Sequence, residues 1–286
     1  MPELPEVETV ARLIRPVVEG RRVRGVEVDW VRTLGGDEPA IFEERVVGAR
    51  IVRVWRRAKQ IVMDLERRGR PAGHLLVHLR MTGRLHGRPK AQAPGPFRRV
   101  SLVLDRGTLD FDDVRKFGRF LYREDPESVL AGLGPEPLGE EFTADWLLAA
   151  LRGRRRVLKP LLLDQSFVAG LGNIYVDEAL HRSRLHPEQR SDRVRPARAR
   201  ELWAAIRETL AAAIEREGSS FDTFYRTPEG QPGSYQHQFQ VYGRQGKPCK
   251  RCGTTIKRLV VAQRGTHLCP RCQPRPRPRQ RSRRDG

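Results

Sequence analysis

The chain has 286 residues, enough for two domains that each bury a hydrophobic core. Its 55 Lys and Arg residues against 35 Asp and Glu give a formal net charge of +20, which indicates a polyanionic partner and above all nucleic acid. No stretch approaches 18 consecutive apolar residues and no apolar segment follows a basic amino terminus, so a membrane protein is not expected.

The first part of the chain predicts a short helix and then a β-rich domain. Val10, Leu13, Ile14 and Val17 share one helical face, and Pro5 suits the first turn of that helix. Strands are predicted at 23–30, 49–55, 60–65, 75–79, 100–104 and 108–111. Short strands separated by regular turn signals indicate an antiparallel β-sandwich or barrel.

A segment rich in Gly and Pro, 131–139, is the predicted linker, and the pattern after it becomes helical. Helices are predicted at 143–151, at 157–165 and around 202–214, and the Gly-rich segment 167–175 resembles the turn of a helix–turn–helix variant. The fold class is therefore α+β, with two main domains. Their predicted bounds are 1–130 for the β domain and 140–240 for the helical domain, followed by a cysteine module at 241–273 and a disordered basic tail at 274–286.

All four cysteines lie near the end of the chain. Cys249-x2-Cys252 is followed after sixteen residues by Cys269-x2-Cys272, a spacing typical of a tetrahedral zinc site. A closed set of four thiolates makes the zinc structural; two disulfides or free thiols are the alternative. The basic segment between the pairs is either a hairpin tip that enters a DNA groove or a solvated turn. Clustered thiols without a signal peptide indicate an intracellular protein.

The amino terminus offers an unusual nucleophile. Removal of Met1 would leave Pro2 with a free secondary amine, which condenses with an aldehyde or a sugar C1′ to give an iminium ion. Glu3 lies beside it and is able to transfer protons. A proline that only caps a helix is the plainer interpretation of the same residue.

Seven separated motifs, in order from residue 1 to about 273, resemble formamidopyrimidine-DNA glycosylase, of the bacterial family that includes endonuclease VIII. They are 1–7, Arg-Arg-Ala-Lys at 56–59, His-Leu-Arg-Met-Thr-Gly at 78–83, Leu-Gly-Pro-Glu-Pro-Leu at 133–138, 168–175, Gln-Val-Tyr-Gly-Arg at 240–244 and the four-cysteine finger. The resemblance implies a base-excision repair enzyme with a catalytic β-sandwich domain, a helix-two-turns-helix domain and one structural Zn²⁺. Such an enzyme would act as a monomer on damaged double-stranded DNA in a bacterial cytoplasm, associated with the nucleoid.

The resemblance also assigns roles at the amino-terminal end. Pro2 matches the family's nucleophile and Glu3 its general acid, while Glu6 matches a supporting carboxylate. Lys59 matches a lysine that contacts the phosphodiester near the lesion. Without the family, Glu6 would only stabilise a helix start and Lys59 would be a surface lysine at a strand end.

Flipping a nucleotide out of a duplex leaves a hole that must be filled. Met81, Arg115 and Phe117 match the family's three hole-filling residues, although Met81 and Phe117 would otherwise be taken as core. The segment 112–118 lacks the proline that the family usually carries there, which leaves the rigidity of this loop open.

Lys159, Asn173 and Arg264 match residues that grip the DNA backbone around the flipped nucleotide, and Arg264 is counted with the catalytic group. Glu178 matches a carboxylate of the second domain that positions Pro2; an ordinary helix-surface glutamate is the alternative.

The motifs favour oxidised purines, 8-oxoguanine and formamidopyrimidines, as the lesions. Leu4 supports this branch, since the endonuclease VIII branch, which prefers oxidised pyrimidines, typically has Gly there. Residues 223–235 would form the loop that closes over the base, but Asp222 stands where the family often has a basic residue. This residue leaves the contacts to the damaged base open. The endonuclease VIII branch is the alternative within the family, and a non-catalytic DNA-binding protein, which would share the charge and the finger, is the alternative outside it.

Overall fold

The computed structural model describes residues 1–90, 93–220 and 225–276, which form two compact units. Unit 1 comprises Met1–Glu136, Val168–Leu171 and Leu210–Gln238, and unit 2 comprises Pro137–Phe167, Gly172–Thr209 and the chain from Phe239 onward. This division differs from the predicted bounds, because two segments of the predicted helical domain pack into unit 1. Within the described ranges, no helix combines the length and the apolar character needed to cross a membrane.

Unit 1 contains two antiparallel sheets of four strands each. In chain order its elements are α1 (Leu4–Val18), β1 (Val23–Val28), a 3-10 turn (Val31–Leu34), α2 (Pro39–Val46), β2 (Arg50–Arg57), β3 (Gln60–Arg67), β4 (Arg70–His78), β5 (Gly83–Arg88), β6 (Arg98–Leu104), β7 (Thr108–Asp113), β8 (Arg119–Arg123) and α3 (Glu127–Leu130). The strand orders are β1-β6-β7-β5 and β2-β3-β4-β8.

The core of unit 1 joins α1 to both sheets. Ile14 of α1 belongs to one buried cluster with Ile51 and Leu75 of one sheet and Leu102 and Phe111 of the other. Two sheets sharing one core confirm the predicted β-sandwich. The six predicted strands all exist, whereas β5, β8 and α2 were not predicted.

Unit 2 is helical and ends in the cysteine module. Its elements are α4 (Ala144–Arg152), α5 (Leu158–Leu163), α6 (Asn173–Arg182), most of α7 (Pro196–Glu215), β9 (Lys257–Val261) and β10 (Arg264–Leu268). Thr143 caps α4 by accepting a hydrogen bond from the Trp146 N–H at 3.0 Å, which fixes the predicted start of that helix. The predicted helices are confirmed, but the Gly-rich residues Val168–Leu171 between α5 and α6 pack with unit 1.

Candidate active site

The amino terminus is packed into unit 1. Pro2 is buried, whereas Met1 is 42 % exposed. Glu3 and Glu6 are both buried, and the Glu3 N–H donates to Glu6 Oε2 at 2.8 Å. The first turn of α1 is thereby closed by a carboxylate. Loss of Met1 would free the Pro2 nitrogen beside a backbone that Glu6 already holds in place.

Glu6 also binds a distant segment of unit 1. Its Oε1 accepts a hydrogen bond from the Ser219 N–H at 2.8 Å. Gly218 has φ +78°, and a Cβ there would lie 2.7 Å from Glu6 Oε1, so a glycine is required at that approach. Glu6 therefore does more than stabilise a helix start. Asp222 and residues 223–224 of the predicted capping loop lie outside the described residues.

Lys59 lies in the turn between β2 and β3 and is 8 % exposed. Its Nζ donates to the carbonyl oxygen of Leu171 at 2.7 Å. The neighbouring carbonyl of Gly170 accepts from the Leu4 N–H at 3.1 Å. One short segment, Val168–Leu171, thus holds both the start of α1 and Lys59. Lys59 is not a surface lysine.

The turn that carries Lys59 is clamped by Glu136, from the predicted linker. The Glu136 carboxylate accepts from Arg56 Nη1 at 3.0 Å and Nη2 at 2.8 Å, and also from the Ala58 N–H. Burial raises the pKa of Glu136, but the hydrogen bonds and charge of Arg56 outweigh it and hold the pKa below its usual value. Glu136 was not predicted from the sequence; the available signal was a lone carboxylate inside a Gly- and Pro-rich motif.

His78 ends β4 and was not singled out from the sequence. Burial, with the charges of Arg80 and Lys59, lowers its pKa to about 3, so the ring is neutral at physiological pH. Nδ1 accepts from the Arg80 N–H at 3.0 Å, which assigns the ring proton to Nε2. His78 and Lys59 thus provide two hydrogen-bond donors in one neighbourhood, one neutral and one cationic. The signal that could have identified His78 as a site residue was its position in the matched motif 78–83.

Two loops of unit 1 bring the three predicted hole-filling residues together. Met81 follows β4, and Arg115 and Phe117 lie between β7 and β8. Arg115 Nη1 is 3.1 Å from Met81 Sδ, and its guanidinium lies 4.9 Å from the centre of the Phe117 ring. Met81 is 39 % exposed and Phe117 48 % exposed. They are not core residues, and an exposed apolar pair flanking a guanidinium suits insertion into a base stack.

A buried carboxylate orders these loops in place of the missing proline. Asp113 accepts from the Thr82 hydroxyl, from the Arg115 N–H at 3.2 Å and from the Gly118 N–H at 2.7 Å. Gly83 lets the first loop turn tightly, because a Cβ there would lie 2.5 Å from the Leu79 oxygen. The rigidity that the sequence left open is therefore supplied by hydrogen bonds to Asp113.

The four cysteines converge in unit 2. Their sulfur atoms all lie within 4.8 Å of one another, with Sγ–Sγ distances of 3.5 Å for Cys252–Cys269 and 4.0 Å for Cys249–Cys272. A tetrahedral Zn²⁺ with bonds of about 2.3 Å holds its sulfurs about 3.8 Å apart, so the four residues fit this ion. The described residues contain no disulfide among them. Zinc would be enclosed by protein ligands, as a structural site requires.

The finger hairpin, β9 and β10, is fixed to α5 and α6 by polar contacts. Lys159 is fully buried; its Nζ pairs with Asp177 Oδ1 at 2.6 Å and donates to the Gly265 oxygen at 3.1 Å. The Asn173 amide donates to the same oxygen at 2.9 Å. Arg264, which directly precedes Gly265, is exposed, and its guanidinium has no hydrogen-bond partner among the residues described. In this arrangement Lys159 and Asn173 hold the hairpin, and Arg264 is the one of these three matched residues that is exposed to solvent. Lys159 is therefore a buried, paired ammonium, and its expected contact with the DNA backbone stays a prediction.

Glu178 lies within α6 and is also fully buried. Its Oε1 accepts from the backbone N–H groups of Val241 and Tyr242 at 2.9 Å, and its Oε2 accepts from that of Gln240 at 2.8 Å. Burial raises its pKa despite these donors. Glu178 is therefore not a helix-surface glutamate; it fixes the chain that leads into the finger.

Comparison with known families covers most of the chain. The model described as formamidopyrimidine-DNA glycosylase N-terminal domain matches residues 1–120, and the corresponding H2TH domain model matches 133–225. A third model, described as a zinc finger found in FPG and IleRS, matches 246–275. The chain is 45 % identical over 279 residues to a formamidopyrimidine-DNA glycosylase of Solibacter usitatus, covering 96 % of this chain and 100 % of the relative.

Solved structures show the same similarity in three dimensions. The crystal structure of MutM (Fpg) from Thermus thermophilus has a TM-score of 0.84 at 43 % identity, covering 95 % of this chain and 98 % of that one. Lactococcus lactis Fpg has been solved with DNA containing N7-benzyl-Fapy-dG and with DNA containing an oxidised pyrimidine. Both complexes have a TM-score of 0.86 at 34 % identity and cover 96 % of this chain and 100 % of that one.

Proposed function

The chain belongs to the formamidopyrimidine-DNA glycosylase family, and from that premise we propose that it excises oxidised purines from duplex DNA and then cleaves the strand. The lesions are 8-oxoguanine and formamidopyrimidines. The observation that carries the proposal is the composition of unit 1. The same folded unit contains a buried amino-terminal proline beside two carboxylates and an exposed Met81–Arg115–Phe117 cluster suited to replace a flipped nucleotide.

The chemistry follows from a secondary amine at the terminus. After removal of Met1, the Pro2 nitrogen attacks C1′, the bond from C1′ to the base breaks, and the base leaves with that electron pair and a proton passed on by Glu3. Opening of the sugar gives an iminium ion that acidifies the C2′–H. Loss of this proton expels the 3′ phosphate, and a second elimination expels the 5′ phosphate, which is β,δ-elimination.

Phosphate binding falls to donors in both units. In unit 1 we assign it to the Lys59 ammonium and to the Nε2–H of the neutral His78, and in unit 2 to Arg264. Lys159 and Asn173 act through Arg264 by fixing its hairpin. Zn²⁺ held by the four cysteines would supply structural stability alone.

The alternative is excision of oxidised pyrimidines, as in the endonuclease VIII branch. Leu4 favours the purine branch, while a related structure with an oxidised pyrimidine in its DNA shows that a member of this family binds such DNA. The proposed partner is damaged double-stranded DNA, bound by a monomer. We place the enzyme with the nucleoid in a bacterial cytoplasm, since its relatives are bacterial and its substrate is the chromosome.

The decisive experiment is borohydride trapping on two duplexes, one carrying 8-oxoguanine and one an oxidised pyrimidine. Borohydride reduces the iminium to a stable amine, and mass spectrometry of the digested adduct identifies the attached residue. We expect an adduct on Pro2 with the purine duplex. An adduct only with the pyrimidine duplex would assign the chain to the other branch.

The position of a tag supplies a matched control. An amino-terminal extension converts the Pro2 nitrogen into an amide and is expected to abolish trapping while sparing DNA binding. The same tag at the carboxyl terminus leaves Pro2 free and is expected to leave trapping intact. Undiminished strand cleavage with the amino-terminal tag, or tight binding without any adduct, would overturn the catalytic assignment and favour a non-catalytic DNA-binding protein.

A further inference from the structure

A strongly basic cavity lies beside the zinc ligands of unit 2. The cavity has a volume of about 710 Å³ and borders Cys252 and Cys272. Six arginines line it, and we call the surface that they form the knuckle surface. These are Arg184, Arg193, Arg195, Arg198, Arg251 and Arg271. All but Arg198 are exposed. The proposed repair chemistry makes no use of any of them.

The charge of the knuckle surface is poorly compensated. Among the described residues, Arg198 alone of the six has an acidic partner, Glu201. Carboxylates close by in the sequence pair with arginines outside the cavity: Glu188 with Arg275 at 3.1 Å and Asp192 with Arg190 at 3.0 Å. Five guanidinium groups around one cavity repel one another. Zn²⁺ held by four thiolates would have a formal charge of about −2 beside the cavity and offset part of that repulsion, and a bound polyanion would relieve the remainder.

The knuckle surface is separate from the predicted DNA contact of the finger. Arg264 pairs with Val261 at the tip of the hairpin, whereas Leu268 and Lys257 pair at its base, next to the cysteines. A strand of five residues spans about 13 to 17 Å. Arg251 and Arg271, which flank the cysteines, therefore lie about a hairpin length from Arg264.

We propose that the knuckle surface binds the phosphate backbone of a second segment of duplex DNA, independently of the lesion. Guanidinium forks match pairs of phosphate oxygens, and a row of them binds without regard to base sequence. No aromatic side chain is among the residues found to line the cavity, so the stacking that holds single strands is missing. A surface that offers guanidinium groups and no stacking side chains fits the phosphate backbone of duplex DNA.

The test compares two triple variants that each remove three positive charges. Arg184→Gln, Arg193→Gln and Arg195→Gln alter the knuckle surface without touching residues next to a cysteine. Arg24→Gln, Arg68→Gln and Arg106→Gln are the matched control at exposed arginines of unit 1 that have no ion-pair partner among the described residues. Each full-length protein is first saturated with a duplex carrying a non-cleavable abasic-site analogue. A labelled, undamaged 12-base-pair duplex is then added at several KCl concentrations.

We expect the wild-type protein and the control variant to bind this second duplex, with a complex of two duplexes per protein in sedimentation. The knuckle variant should bind it at least about tenfold more weakly, and its plot of log affinity against log salt should be shallower by about 2 to 3. Equal losses in both triple variants, or no second duplex on the wild-type protein at low salt, would overturn the proposal. So would displacement of the duplex by inorganic triphosphate at matching phosphate concentration, which would show a small-anion site.

The inference rests on the proposed DNA binding of the chain but not on the role of Pro2. Single-turnover excision by the knuckle variant is expected to equal that of the wild type. A wild-type protein that binds the second duplex but forms no borohydride adduct would contradict the proposed function and leave the knuckle surface standing.

Discussion

The carboxylate of Glu6 lies 2.8 Å from the backbone nitrogen of Ser219, a residue 213 positions further along the chain. Its other oxygen accepts from the Glu3 N–H at the same distance. One buried side chain therefore ties the amino terminus to the segment that leads into residues 221–224. In the proposed mechanism, this bond couples the position of Pro2 to the chain expected to close over the damaged base.

Glu6→Gln is expected to slow base excision by about 10- to 100-fold. The amide of the variant side chain would keep one acceptor oxygen, but its NH2 would face one of the two N–H donors, that of Glu3 or that of Ser219. The lost hydrogen bond to a charged carboxylate contributes about 1.5 to 3 kcal/mol to stability. Single-turnover excision measures the loss, with affinity for an abasic-analogue duplex as the separate readout. Glu44→Gln, at an exposed carboxylate of α2, is the control and should leave the rate unchanged. Equal rates for Glu6→Gln and wild type would refute the coupling.

Glu136→Gln should slow strand cleavage, because Glu136 positions the turn that carries Lys59. Glu136 itself contacts no substrate in the proposed mechanism. Glu136 holds the turn 56–59 through Arg56 and the Ala58 N–H, and a neutral amide there leaves the nearly buried Arg56 with one carboxylate fewer. We expect a loss of about tenfold in single-turnover cleavage of an abasic duplex. Glu124→Gln removes a carboxylate that pairs with Arg45 at the surface and should leave the rate unchanged. A similar loss in both variants would indicate a general charge effect instead.

The local periodicity of the sequence was sufficient to predict α1, six strands and the helices of unit 2. It was insufficient for β5, a short polar segment, and for β8, which has only three apolar or aromatic residues between two arginines. Both segments are strands through pairing with β7 and β4 respectively. For α2 a local signal existed, since Pro39 stands at its first turn, but its apolar face is short. Whether segments such as β5 and β8 form strands depends on pairing partners that are distant in the sequence.

The same limit applies to the site. Zinc ligands follow from spacing alone, because each Cys-x2-Cys pair is local. The surroundings of Lys159 depend on Asp177 and on a hairpin more than a hundred residues away. A motif that matches a DNA-backbone contact therefore did not predict the buried ion pair that the structure shows. Glu136 was hidden for the same reason, since its partners lie about eighty positions earlier.

Asp113→Asn is expected to impair nucleotide flipping more than DNA affinity. Its carboxylate accepts from three donors that shape the loops carrying Met81 and Arg115, and an amide is able to accept at only one of its two atoms. We expect extrusion, followed by 2-aminopurine fluorescence beside the lesion, to slow by about tenfold or more. Asp112→Asn alters the adjacent carboxylate, which faces His86, and should stay within about twofold of wild type. Normal flipping in Asp113→Asn would show that the loops need no such anchor.

Removal of zinc should abolish DNA binding and leave unit 1 folded. The buried apolar cluster of the finger contains few residues besides its cysteines, so the metal supplies most of its stability. Without it the hairpin would lose the base that positions Arg264. Chelator titration, with zinc release and duplex affinity measured together, is expected to show both falling in parallel and returning when Zn²⁺ is added. Full affinity in the zinc-free protein would contradict this.

His78 makes unfolding dependent on pH in a defined direction. Burial and the charges of Arg80 and Lys59 lower its folded pKa to about 3, from 6.5 in the unfolded chain. Between these values the unfolded chain binds a proton that the folded protein does not, so the contribution of His78 is complete above pH 6.5 and is lost as the pH falls toward 3. From pH 7.5 to 5 this amounts to about 2 kcal/mol.

His78→Gln removes that titration, so the free energy of unfolding in urea should fall by about 2 kcal/mol less than in wild type as the pH is lowered from 7.5 to 5. The comparison of the two proteins cancels the protonation of other groups. His237→Gln, at an exposed histidine of unit 1, should follow the wild-type profile. Parallel profiles for wild type and His78→Gln would mean that His78 is protonated alike in both states, which would contradict a folded pKa of about 3.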